Sequence, residues 1–342
     1  MRLFLTMEYA AVLRRLIAGE HLTQLQSAEL FGAIMDGVLS PAQAAGLLVA
    51  LASKGEHVDE VVGAARAMRE RSLHVEHGLD VVVDVVGTGG DGANTINIST
   101  MAALVVAATG IPVAKHGNRA ASSACGSADV LEATGLPIDV TPDRAAKMLR
   151  SSNFTFMFAP RYHPAMKNVA PVRRELGVRT IFNVLGPLTN PARANALVVG
   201  VSRENLLELV GNVLRDLGAV RGAVVHGAHG LDEIAGDGPT HVYSFDETGG
   251  RRWVLSPSEH GIDTALEEIV GGSVDACREA FGSILGGERS GRADVVALNA
   301  AFVLHTVGTE STITTALQTA QKTLRSGAAL RTYERAKEHA NG

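Results

Sequence analysis

Between Val81 and Thr100 the chain reads VVVDVVGTGGDGANTINIST, an apolar run, four glycines from Gly87 to Gly92, then Ser99–Thr100 opening an Ala-rich stretch. The run Val81–Val86 has the β-branched character of a strand buried on both faces, which is the habit of parallel sheets. A glycine turn that ends at a helix N-terminus offers several backbone N–H groups to an anion. Strand, glycine turn and helix in that order open a βαβ unit. The segment therefore directs the chain to the α/β class and the turn to a phosphate ligand.

The remaining sequence extends this pattern on one side and breaks it on the other. After Val81–Val86, Thr100–Thr109 reads as a helix closed by Gly110 and Pro112–Lys115 as a strand. Asp129–Ala133 is a short helix, Thr141–Pro142 caps another, and Phe154–Phe158, Ala196–Val201 and Gly222–His226 are strands with the amphipathic helix Glu204–Leu217 among them. His241–Leu255 reads as a hairpin around Gly249–Gly250, and the rest is helical with a loop at Gly286–Gly291. Residues 7–73 show no strand pattern. Leu13, Leu16 and Ile17 have helical spacing, Thr23 opens a second helix, Ser40 before Pro41 is an N-cap with Pro at the first helical position, and Val58–Arg71 gives a fourth. Pro164–Leu185 is again helical and can fold back onto these helices. The expectation is a small all-helical domain, residues 1–75 joined by about 164–190, plus a larger α/β domain, 76–163 and 191–342, with a mostly parallel central sheet flanked by helices.

Composition narrows the partners. Aromatic residues make up only 4% of the chain, so Ala, Gly, Val and Leu must fill the core, which suits close helix–sheet packing. A net charge of −5 supplies no basic field for nucleic acid. Cys125 and Cys277 are too few for a disulfide framework or a metal set and fit a reducing cytoplasm. Met1–Leu22 carries charges too early and too often for a signal peptide, and the apolar run Met101–Ala108 is far below a membrane span.

Gly87, Gly89 and Gly92 match G-x-G-x-x-G, a weak signal alone. A dinucleotide fold wants an acidic residue about 20 positions on, for the ribose hydroxyl. Here that place reads Lys115-His116-Gly117-Asn118-Arg119, which disfavours NAD and leaves NADP open. No Lys-Ser/Thr follows the last glycine, so the turn is not a Walker A loop. Lys115, His116 and Asn118, at a neighbouring strand's carboxyl end, are expected to face the same ligand as the turn. Asp232-Glu233, on an irregular loop after a strand, suit Mg²⁺ when substrate phosphates supply other ligands. His226 and His229 leave a transition-metal site as a rival, and an acidic helix cap is the plain structural alternative. Arg161, Lys167, Arg173, Arg174 and Arg179 lie within nineteen residues, with His163 among them and Asn183 after. An arginine there can grip a carboxylate by its fork, while most of the others are solvated helix faces. The small-residue loop Ala120–Ala128, with Ser122, Ser123 and Ser127, either closes over phosphates or is merely flexible.

Taken together, Asp84-Val-Val-GTGGDG, Asn97-Ile-Ser-Thr, Lys115-His-Gly-Asn-Arg, Gly126-Ser-Ala-Asp-Val-Leu-Glu, His163-Pro-Ala-Met-Lys, Val172-Arg-Arg-Glu-Leu-Gly and Arg179-Thr-Ile-Phe-Asn-Val-Leu-Gly-Pro-Leu-Thr-Asn-Pro resemble, in this order, the anthranilate phosphoribosyltransferases of tryptophan biosynthesis. Asp232-Glu233 and Leu298-Asn-Ala-Ala also fit, so the likeness covers nearly the whole chain. The resemblance implies a cytoplasmic homodimer joined through its helical domain. It implies Mg²⁺-dependent transfer of phosphoribose from phosphoribosyl pyrophosphate to the anthranilate amine, with release of pyrophosphate. It assigns Gly87, Gly90, Asp91, Thr95, Asn97, Ser99, Thr100, Lys115 and Ser127 to the donor. Asp232 and Glu233, with Ser99 as a further ligand, are assigned to Mg²⁺. Gly87, His116, Asn118, His163, Arg173 and Pro187 are assigned to anthranilate, with Arg173 on its carboxylate. It assigns no acid or base. The family loop commonly reads Ser-Ser-basic-Ser-Gly-Ser; here Ser122-Ser123-Ala124-Cys125-Gly126-Ser127 lacks a charge and a hydroxyl on the phosphate side. The nearest alternative is a relative on the same scaffold without anthranilate activity, a pyrimidine nucleoside phosphorylase or a nucleic-acid-binding paralogue. The intact Arg173 and Arg179–Pro191 block argue against both.

Overall fold

The computed structural model describes residues 2–120 and 124–341; Ser122 and Ser123 lie outside them. Four helices come first: α1 (Arg2–Ile17), α2 (Gln24–Met35), α3 (Pro41–Lys54) and α4 (Val58–Glu70). Thr23 and Ser40 begin α2 and α3 as capping boxes, each hydroxyl accepting the N–H of a Gln three residues on while that Gln reaches back. α2 packs on α4, and α1 on α3.

The α/β part then runs β1 (Val83–Gly87), α5 (Ile98–Ala108), β2 (Val113–Gly117), α6 (Ser127–Ala133), α7 (Pro142–Ser152), β3 (Phe154–Phe158), α8 (Ala159–Tyr162), α9 (Ala170–Leu176), α10 (Phe182–Leu188), β4 (Ala196–Gly200), α11 (Leu207–Asp216), β5 (Arg221–His226), β6 (Thr240–Asp246), β7 (Gly249–Leu255) and α12 (Val274–Leu285) to α13 (Gly291–Thr306), α14 (Ile313–Arg325) and α15 (Ala328–Asn341). The seven strands lie in the order β3-β2-β1-β4-β5-β6-β7. β1 to β5 are parallel; β6 and β7 add an antiparallel edge. The chain leaves β1 for β2 on one side and returns to β4 on the other. β1 is thus the topological switch point, and the crevice outside its carboxyl end is where such sheets bind ligands.

Helices cover the sheet in two groups. α5 packs on β1, β2 and β3 and against α13, which packs on β4 and β5. Almost every residue of α5 is buried, as its apolar run Met101–Ala108 requires. α10 and α11 pack on each other, on α4, and between them on β2, β5 and β6. No helix among the described residues is long and apolar enough to cross a membrane.

Three segments differ from the sequence reading. Residues 256–273, read as helical, hold only two short 3₁₀ turns, Pro257–His260 and Leu266–Ile269, before α12. Pro164–Leu185 is not one helical stretch. A 3₁₀ turn (Pro164–Asn168) packs on α2 and α9 packs on α3; Gly177, at φ 62°, ends α9 before α10 begins. The β6–β7 turn is at Glu247–Thr248 rather than Gly249–Gly250, because Asp246 pairs with Gly249 and its Oδ1 accepts the Thr248 N–H at 2.8 Å. The Asp246 side chain thus forms the Asx-type hydrogen bond that fixes the turn ahead of the two glycines.

Candidate functional site

β1 delivers Gly87 to the switch point, in register with Gly200 of β4. The loop after β5 crosses both, and a Cβ on Gly87 would overlap the Asp232 carboxylate. That close approach is why glycine stands there. Gly89, Gly90 and Gly92 follow with φ of 68°, 76° and 77°. Asp232 Oδ2 accepts the Gly89 N–H at 2.6 Å, and Glu233 Oε1 accepts the Ser99 N–H at 3.1 Å in the first turn of α5. Asp91 accepts the Ala93 N–H at 3.2 Å. The N–H groups expected to meet an anion are therefore partly engaged by the acidic pair itself, so the metal and cap readings of Asp232-Glu233 describe one geometry.

These carboxylates are costly to ionise. Burial, then the charge of Asp91, pushes Asp232 up to about 7; burial, then Asp232, pushes Glu233 up to about 8. Glu233 Oε2 is enclosed without a hydrogen-bond partner. Orphaned acidic oxygen beside a second carboxylate fits a hard divalent cation, which takes oxygen ligands. No group of three or more His, Cys, Asp or Glu converges among the described residues, so the rival histidine-based metal site is not formed. His226 instead contacts the Val201 carbonyl and His229 pairs with Asp237.

β2 contributes the cationic wall. Lys115 is 2% exposed, and its ammonium donates to Val85 O at 2.5 Å and Ser99 Oγ at 3.3 Å. Burial lowers its pKa, while Asp84, Glu233 and Asp232 pull it back up. The next residue points the other way, as alternate residues in a strand must. His116 Nδ1 lies 3.2 Å from Gly186 O on α10, and its Nε2 lies 3.2 Å from His163 Nε2. Lys115 and His116 were expected to face one ligand. The pleat separates them, Lys115 toward α5 and the glycine turn, His116 toward α10. Burial, the largest cause for each, lowers His116 to about 4 and His163 to about 2, so both rings are neutral. With His116 Nδ1–H donating to Gly186 O, its Nε2 accepts from His163, and His163 Nδ1 is left as a buried acceptor without a partner.

The other sequence-derived residues fall around these two faces. Asn97, at the N-cap of α5, donates to Cys125 O at 3.1 Å, and Asn94 Oδ1 accepts the Ala124 N–H, which ties the small-residue loop to the glycine turn. Asp129 holds that loop through Ala120 N and Gly126 N, both at 2.9 Å. Ser127 and the Ala128 N–H both donate to Asn118 O. Cys125 is buried beside Cys277 of α12, and its thiol donates to Asn97 Oδ1 at 3.7 Å. Thr95 bridges Val270, and Thr100 Oγ1 is buried without a partner. Arg173 is half-buried on α9 with its guanidinium 5.6 Å from the Phe182 ring, one turn before Gly186 and Pro187 on α10. It reaches the side of the two histidines through that helix and forms no hydrogen bond to either ring.

The structure adds residues to which the sequence assigned no role. Asp84, fully buried in β1, accepts from Asn190 Nδ2 at 2.7 Å and from the His116 N–H at 3.3 Å, and burial raises it to about 6. A lone acid in VVVDVVG was its visible signal. Arg179 donates to Gly90 O at 3.3 Å, Gly89 O at 3.4 Å and Ser202 Oγ at 3.2 Å. It joins those two carbonyls to the segment after β4, and nothing in its arginine-rich surroundings distinguishes it by sequence.

A family model described as "Glycosyl transferase family, helical bundle domain" matches residues 10–72, and "Glycosyl transferase family, a/b domain" matches 79–330. A protein of Moorella thermoacetica named anthranilate phosphoribosyltransferase is 46% identical over 320 residues, 93% of this chain and 94% of its own. The crystal structure of the Thermus thermophilus protein of that name superposes with a TM-score of 0.91 at 42% identity, covering 96% of this chain and 99% of its own. The Saccharomyces cerevisiae protein, solved in complex with PRPP and Mg, superposes with a TM-score of 0.90 at 26% identity, covering 98% of each chain.

Proposed function

The chain belongs to the anthranilate phosphoribosyltransferase family, and we infer that it transfers phosphoribose from phosphoribosyl pyrophosphate to the amine of anthranilate, releasing pyrophosphate. One observation carries the reading. At the switch point, a buried lysine, a glycine turn and two carboxylates with raised pKa values share one face of β2, while two neutral histidines occupy the other. A highly charged donor and a flat, weakly charged acceptor need that division.

The chemistry breaks the bond from ribose C1 to pyrophosphate oxygen and forms one from C1 to nitrogen, and the amine gives up a proton. Negative charge grows on the leaving group. Lys115 and the uncommitted amides of the glycine turn would stabilise it. Gly87, Gly90, Asp91, Thr95, Asn97, Ser99, Thr100, Lys115 and Ser127 form the proposed donor side. Asp232 and Glu233, with Ser99, whose N–H donates to Glu233 and whose Oγ accepts from Lys115, would hold Mg²⁺. That ion would neutralise pyrophosphate charge when bound. The yeast relative's complex with PRPP and Mg supports this assignment. Gly87, His116, Asn118, His163 and Pro187 are proposed to line the acceptor route, with Arg173 receiving the carboxylate by its fork. The aniline nitrogen is neutral at pH 7, so holding it near C1 matters more than a strong base. The proposed assembly is a cytoplasmic homodimer through the helical layer, supported by exposed Ile17, Leu25, Val38 and Val49 on or beside α1–α3.

The test follows anthranilate fluorescence. Signal is expected to fall only when phosphoribosyl pyrophosphate and Mg²⁺ are both present. A steady signal with all components present overturns the reading.

A further inference from the structure

A second concentration of positive charge lies at the opposite end of the sheet. The glycine turn sits beyond the carboxyl ends of the parallel strands. Arg193 precedes the amino end of β4, and the α11–β5 turn at Leu217–Gly218 precedes that of β5. Together with Arg66, Arg69 and His74 they line a cavity of about 500 Å³. Arg66 and Arg69 are three apart on α4, so they share a helix face.

Part of this arrangement is structural. Arg66 donates to Asp216 O at 3.2 Å, and Arg69 donates to Leu217 O at 3.2 Å and Leu188 O at 2.8 Å. These bonds satisfy carbonyls at the ends of α11 and α10. Capping does not account for Arg193. It is exposed, is not glycine, and has φ 50°, a left-handed backbone that costs free energy. Among the described residues none of the three arginines forms an ion pair. Glu70 also lines the cavity, but its side chain is 74% exposed and its carboxylate lies 3.8 Å from Arg71. Glu76 and Asp80 line the adjoining cavity without reaching ion-pair distance of Arg193. Burial, then the charges of Arg193 and Arg66, lowers Arg69 to about 10, so the three guanidinium groups repel one another.

We propose that this cavity binds a phosphate-class dianion, gripped by the Arg193 fork, with Arg69 and Arg66 adding charge and the N–H groups that their carbonyl bonds leave free. Guanidinium forks suit phosphate oxygens, and a dianion offsets more of the uncompensated charge than a carboxylate does. The site joins two layers. Arg66 and Arg69 belong to the helical layer, whereas Arg193 lies on the second crossing into the sheet, bonded to the first through Val75 N to Pro191 O at 3.1 Å. The ligand is either inorganic phosphate or a phosphomonoester.

Inorganic phosphate is titrated calorimetrically into the full-length protein and into Arg66→Gln/Arg193→Gly, which leaves the donor-site residues untouched. Glycine accepts the left-handed backbone at position 193, so the second change relieves strain as it removes charge. The expected result is one more phosphate per chain on the parent than on the variant, with basal turnover the same within about twofold. Equal numbers in both proteins overturn the proposal, as does an extra phosphate that binds only above about 10 mM. If the double variant melts earlier than the parent in phosphate-free buffer, Arg193→Gly alone decides by the same two outcomes. Ribose 5-phosphate then identifies the source. Displacement of the extra phosphate marks a phosphomonoester site, and its retention marks an inorganic phosphate site.

Discussion

Replacing Glu233 by Gln removes a charge from a place where burial and a neighbouring carboxylate make charging costly. One oxygen accepts the Ser99 N–H and the other is enclosed without a partner. A glutamine keeps the acceptor for Ser99. The folded-state pKa is about 8 against 4.5 for the free side chain. The native protein therefore holds this proton to higher pH than the unfolded chain. Stability present below pH 4.5 is lost progressively as pH rises through 8. The full shift corresponds to ~5 kcal/mol; coupling to Asp232 and the partial exposure of the residue reduce this to about 2–4 kcal/mol. For a chain of this length that is roughly 3–6 °C in Tm. Metal-free Glu233→Gln and parent protein are melted in chelator at pH 5 and pH 8, followed by circular dichroism. The variant is expected to melt close to the parent at pH 5 and well above it at pH 8, while losing Mg²⁺-dependent turnover. Melting curves that stay parallel across this range refute the argument that Glu233 is held uncharged by its surroundings.

Arg173→Ala is expected to raise the anthranilate KM at least tenfold, about 1.4 kcal/mol, and to leave the donor KM unchanged. Equal effects on both substrates remove its proposed role. Arg179→Ala frees the Gly89 and Gly90 carbonyls, and steady-state kinetics should show the donor KM rising roughly tenfold, with partial recovery in Arg179→Lys. Gly87→Ala drives a methyl group into the Asp232 carboxylate, so a Mg²⁺ titration of turnover should shift to higher metal and stability should fall by about 1–3 kcal/mol.

Much of the fold was legible because the signals are local. The valines of Val83–Gly87 are β-branched, Thr23 and Ser40 carry their own capping partners, and the run Met101–Ala108 is apolar on every side. Where a local rule competed with a side chain, the reading failed. Asp246 drew the β6–β7 turn away from Gly249–Gly250, and Gly177 broke a stretch whose periodicity suggested continuity. Within the site, residue types pointed to ligand class. The partners of Arg179 and Asp84 were not legible, because Gly89, Ser202 and Asn190 are distant from them in sequence.

The sequence alone determined the class of fold, the glycine turn at the end of its first strand, and a cationic strand end where a dinucleotide site would be acidic. Those are properties of contiguous residues, set by backbone geometry and short-range patterning. Only the tertiary structure decided that Lys115 and His116, adjacent in sequence, serve opposite faces of one strand. It also brought Asp232 and Glu233, more than a hundred residues away, onto the N–H groups of Gly89 and Ser99. Burial and the approach of like charges set the protonation of those carboxylates, and both depend on which segments meet in space.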